Sequence, residues 1–71
     1  MGVMIVRELV GTSPTGWSDA ARQAVALASK TVRNIRYVEV VQSTARVEDG
    51  RIVEYRVQLK LGFEYEPEAG A

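Results

Sequence analysis

The sequence predicts an α+β domain of order β-α-β-β, with one helix and a three-stranded antiparallel sheet in the order 1-3-2. Three observations predict it. Apolar and polar residues alternate strictly from Arg51 to Glu66, a three-and-four residue period runs from Trp17, and Asp49-Gly50 joins two strand patterns.

The first element, Val3 to Val10, mixes β-branched and apolar residues with Arg7 and Glu8 and reads as a strand that Gly11, Thr12, Ser13 and Pro14 break. Ser13 ahead of Pro14 suits a helix N-cap followed by proline in the first turn. From Trp17 the period changes: Trp17, Ala20, Ala21, Ala24, Leu27, Ala28, Thr31, Val32 and Ile35 form one apolar stripe. Asp19 early and Lys30 and Arg33 late complement the helix dipole. The alanines imply close approach to a sheet, with Trp17 as a core or interface anchor.

Arg36 to Val47 reads as the second strand and Arg51 to Glu66 as the third. In the third, Val53, Tyr55, Val57, Leu59, Leu61, Phe63 and Tyr65 share one face, and Glu54, Arg56, Gln58, Lys60 and Glu64 the other. Asp-Gly favours a two-residue type I′ turn, which needs positive φ at both positions. That turn sets Glu48 opposite Arg51, Glu39 opposite Lys60, Tyr37 opposite Gly62 and Ser43 opposite Arg56. Two opposite-charge pairs and an aromatic over a glycine make this register self-consistent. A right-handed β-α-β crossover leaves room for an antiparallel strand between its parallel strands, so the third strand takes the centre.

Seventy-one residues make one domain, 1–71, whose tail, 67–71, is expected to fray. A chain of this size hides only about 60% of its unfolded surface when it folds alone, so it needs a staple. There is no cysteine for disulfides and no histidine for imidazole zinc sites or His-dependent triads. Subunit association remains, with an oxygen-ligated cation such as Ca²⁺ as the lesser alternative. Lengths agree: each hairpin arm extends about 40 Å at ~3.3 Å per residue, whereas a helix of roughly 18 residues covers about 27 Å. Val53, Tyr55 and Val57 then lie on an overhang as an apolar patch that a partner would cover.

Nine basic and nine acidic residues cancel without clustering, which argues against a nucleic-acid footprint. No apolar run reaches the roughly 20 residues of a membrane span, and no leader pattern precedes the domain. A cytoplasmic protein is expected. Catalysis without His or Cys would need paired carboxylates or a lysine in a cleft, and nothing in the sequence places such a pair.

The chain resembles the dodecin family over about Val3 to Glu66. The resemblance rests on Gly11-Thr12-Ser13, on Tyr37-Val38-Glu39-Val40, and on Tyr55-Arg56-Val57 through Leu61-Gly62-Phe63. It implies a sheet wrapped around the helix and a hollow homododecamer of cubic symmetry. It further implies flavin binding, as riboflavin or FMN, in pairs at subunit contacts, for storage and quenching rather than catalysis. The family's flavin-stacking tryptophan corresponds to Tyr37, and its glutamine on the ring's pyrimidine edge to Arg56, which donates but cannot accept. Tyr37 reads equally as a cover for Gly62, and Arg56 as an intersubunit ion pair. Where many bacterial members carry Arg-Gly this chain has Thr44-Ala45, and Arg46 is expected to face the other side of the strand. Trp17 and Arg56 also resemble a calcium-binding, non-flavin branch, in which Glu39, Glu54 or Glu64 would meet symmetry mates around an axis.

Overall fold

The computed structural model describes residues 2–65. Strand β1 (Val3–Ser13), helix α1 (Trp17–Ala28), strand β2 (Ile35–Glu48) and strand β3 (Arg51–Tyr65) follow in that order. The sheet is antiparallel throughout, with the strands arranged β1-β3-β2, as the alternation and the Asp-Gly turn predict. Glu66 and the tail expected to fray, 67–71, lie outside the described residues.

Strand β1 runs three residues further than expected. Gly11, Thr12 and Ser13 continue the ladder opposite Val57, Arg56 and Tyr55. Gly11 serves close packing: a methyl group there would collide with the Ala20 carbonyl oxygen and come within 2.9 Å of Ala24 Cβ. The alanines of α1 thus sit directly on the backbone of β1.

The helix is shorter than its stripe suggests, at 12 residues or about 18 Å. Ser29 ends it: its Oγ donates to the Val25 carbonyl oxygen at 2.8 Å, the local competition that makes serine a poor interior helix residue. Lys30 and Thr31 then donate to the carbonyls of Leu27 and Ala28 in a tighter turn, and Asn34 enters β2 at φ 62°. Lys30 and Arg33 fall beyond the last turn, so only Asp19 complements the dipole. The N-cap is Gly16 with no side-chain hydrogen bond, which corrects the assignment of Ser13. Ser13 instead ends β1, buried, its Oγ accepting the Thr15 N–H at 3.0 Å and donating to Asp19 Oδ2 at 2.7 Å. The loop between strand and helix is closed by that relay.

Ala20, Ala24, Val57 and Leu59 form the core, with Leu9 and Ala21 packed against it and Leu61 buried further along β3. Full burial of each large side chain contributes roughly 1.5–3 kcal/mol. Val57 is 1% exposed beneath the helix, so it belongs to the core and not to the overhang. The uncovered part is the tip, where Val47 and Ile52 stand opposite each other and exposed. The helix packs on β1 and β3; on β2, Val38 and Val40 of the same face stay exposed.

Asp49 and Gly50 both have positive φ, 52° and 74°, and Glu48 faces Arg51 as a two-residue turn requires. Three irregularities then step the register, at Val53 in β3 and at Val41 and Arg36 in β2. Glu39 still faces Lys60 and Tyr37 still faces Gly62. Between the bulges the pairing moves by one residue, so Arg56 faces Thr44 and not Ser43.

Candidate functional site

The sheet face turned away from α1 carries the chemistry. Tyr37 lies over Gly62, where a methyl group would strike its ring carbons, and the residue is nonetheless 47% exposed. Bare backbone beneath an aromatic lets the ring lie flat against the strand. Val6 of β1 flanks Gly62 on its other side and is also exposed. Together they make an apolar platform on an uncovered face.

Arg56 lies six positions along β3 from Gly62, about 20 Å at ~3.3 Å per residue. One chain therefore brings Tyr37 and Arg56 to a common face without bringing them together. Arg56 Nε is 3.5 Å from Glu54 Oε1, and Arg46 Nε approaches the same oxygen at 3.7 Å. Arg46 thus shares a face with Thr44 and Arg56, contrary to expectation; positions two apart on a strand point the same way. Arg46 also pairs with Glu48, and Arg36 with Glu64 at 3.2 Å. The arginines are solvent-exposed and Glu54 is half-buried, so each pair contributes at most about 1 kcal/mol.

Beside Arg56 the same face holds a shallow cleft of about 220 Å³ lined by Val10, Gln42, Thr44, Arg56 and Gln58. Gln42 and Gln58 face each other across β2 and β3. Sequence reading missed Gln42, because the irregularities at Val53 and Val41 together decide which residues of β2 share this face. Counted from the turn, the extra residue at Val53 in β3 sets Gln42 and Thr44, in place of Val41 and Ser43, opposite Gln58 and Arg56, and the bulge at Val41 then restores the register that puts Tyr37 opposite Gly62.

Trp17 is an anchor, as expected. Its ring meets Tyr55 edge-on at 4.8 Å, tying the helix start to the base of the hairpin. Nearby, the Asp19 carboxyl accepts from Ser13, Gln23 and Thr15, and these hydrogen bonds, that of Ser13 foremost, hold its pKa below the usual 3.8 against a smaller opposing effect of desolvation. Among the described residues no three carboxylates group to hold a metal ion, and no helix is long and apolar enough to cross a membrane.

One helix on a 1-3-2 antiparallel sheet, with a hairpin outreaching it and an aromatic platform on the open face, defines a class of small β-α-β-β domains. The chain belongs to the dodecin family, whose family model matches residues 3–66. It is 36% identical to the calcium dodecin of Mycobacterium tuberculosis over 67 residues, covering 94% of each chain. It is 39% identical to the dodecin of Thermus thermophilus over 59 residues, covering 83% of this chain and 86% of that one. The solved dodecin of Streptomyces coelicolor superposes with a TM-score of 0.90 at 43% identity, over 94% of this chain and 96% of the other.

Proposed function

We propose that the chain assembles into a homododecamer that binds a flavin, riboflavin or FMN, at contacts between its copies, as a cytoplasmic binding and storage protein and not an enzyme. The observation that carries this reading is the exposed Tyr37 ring laid over Gly62 with Val6 beside it. A planar ring system stacks on such a surface, and tyrosine offers it a π-face. The separation of Tyr37 from Arg56 requires that one copy supply the platform and a neighbour the guanidinium. Exposed Val38, Val40, Val47 and Ile52 supply apolar area for the contact between copies.

A second reading, a shell that binds Ca²⁺ or acts structurally, is favoured by the similarity to the calcium dodecin over 94% of the chain. Of its carboxylates, Glu54 and Glu64 already pair with arginines of their own chain, leaving Glu39, opposite Lys60. Native mass measurement together with quenching of riboflavin fluorescence tests the proposal. A dodecamer that quenches the flavin supports it, and a stable folded monomer or an unquenched flavin overturns it. Thermal stabilisation by Ca²⁺ without flavin quenching would select the second reading.

A further inference from the structure

The flavin edge is an imide: a ring N–H between two carbonyl oxygens. A site that reads it needs one acceptor flanked by donors. Arg56 supplies donors only. Gln42 and Gln58, facing each other in the cleft that Arg56 also lines, carry amide groups with one acceptor oxygen and two donor hydrogens each. Among the described residues no hydrogen bond within the chain engages either amide. The irregularity at Val53 sets Gln42 opposite Gln58, and the bulge at Val41 lets Gln42 and Tyr37 share this face; re-aiming a side chain is what bulges at functional sites do. Val10 and Thr44 complete the wall, one apolar and one a hydroxyl.

Resting on the flavin reading above, we propose that Gln42 and Gln58 form the imide-reading edge of the ligand site, accepting the ring N–H while Arg56 donates to a ring carbonyl. The ligand class is then a planar heterocycle with an imide edge, and the acceptor that Arg56 lacks is present two residues away. The glutamines, rather than position 56, set selectivity for the unsubstituted imide.

The test is titration of the assembled protein with riboflavin and with its N3-methyl derivative, which lacks the ring N–H, read by fluorescence quenching. Wild type is expected to prefer riboflavin by about three- to tenfold, the worth of one hydrogen bond. The double variant Gln42→Met with Gln58→Met keeps unbranched side chains of similar length without the amides, and is expected to lose that preference and to bind riboflavin more weakly by a similar factor. Arg56→Gln is expected to keep the preference. Circular dichroism and native mass establish that each variant is folded and assembled; should the double variant fail there, the two single variants carry the same comparison. A wild type that binds both flavins equally, or glutamine variants that still discriminate, overturns the inference while leaving flavin binding intact. A wild type that quenches neither flavin overturns the functional reading itself, and the imide edge with it.

Discussion

Trp17 reaches from the first turn of α1 to the backbone of β2, its Nε1–H donating to the Thr44 carbonyl oxygen at 2.8 Å. That bond joins the helix to the one strand it does not otherwise cover. The carbonyl belongs to a residue whose side chain lines the cleft on the opposite face, so helix position and cleft geometry share one backbone unit. Trp17→Phe keeps most of the edge-on contact with Tyr55 and removes the bond. It is expected to destabilise the subunit by about 1 kcal/mol, measured by denaturant unfolding. An unchanged midpoint and slope would show that the bond contributes nothing.

Gly11→Ala tests how closely helix and sheet approach. The added methyl meets the Ala20 carbonyl oxygen, which is backbone and cannot rotate away. Overpacking of this kind costs about 1–3 kcal/mol. The same substitution at Gly16, where nothing lies within 4 Å, is expected to change stability far less. Equal effects at the two sites would contradict the packing.

Acid is expected to loosen the start of the helix. The folded pKa of Asp19 is lowered, so its hydrogen bonds contribute fully above the ordinary value of 3.8 and are lost as pH falls through the lower folded value. Asp19→Asn should therefore be less stable than wild type at neutral pH and approach it in strong acid. Parallel stability curves for the two proteins from neutral pH down to pH ~2 would remove this role.

The turn gives a fourth test of stability. Asp49 and Gly50 both hold positive φ, where an alanine costs roughly 1–2 kcal/mol. Replacing both with alanine is expected to lower unfolding free energy by more than either single change.

Element types and strand order were legible because alternation and the Asp-Gly turn act locally. Val57, Leu59 and Leu61 are buried on the face that periodicity assigns them. The helix end was not legible: Thr31, Val32 and Ile35 continue the apolar spacing, but serine's hydrogen bond to Val25 and the β-branched pair after it end the helix first. Gly11 looked like a breaker because a glycine that ends a strand and one that admits a helix backbone look alike in sequence. At the site, Tyr37 over Gly62 matches the register of the turn, because the extra residues at Val53 in β3 and Val41 in β2 cancel. Thr44 opposite Arg56 did not, since the extra residue at Val53 moves the pairing by one between the turn and the cleft.

The strongest test of ligand binding is the platform itself. Tyr37 could be exposed merely as a lid on Gly62, and a lid has no reason to respond to ring size. A stacking partner does. Tyr37→Trp enlarges the aromatic face presented to a flavin and is expected to tighten binding by about 1 kcal/mol, roughly fivefold. Gly62→Ala works in the opposite sense, because its methyl would displace the Tyr37 ring from the strand it lies on. It should weaken quenching while leaving Tyr37 in place in the sequence. Tyr37→Ala removes the platform and should abolish quenching, with circular dichroism and native mass showing that the assembly survives. If all three variants quench flavin as wild type does, Tyr37 is only a cover for bare backbone. If they rank Trp above Tyr, Tyr above the Gly62 variant, and alanine last, affinity follows the flat aromatic area available, as stacking requires.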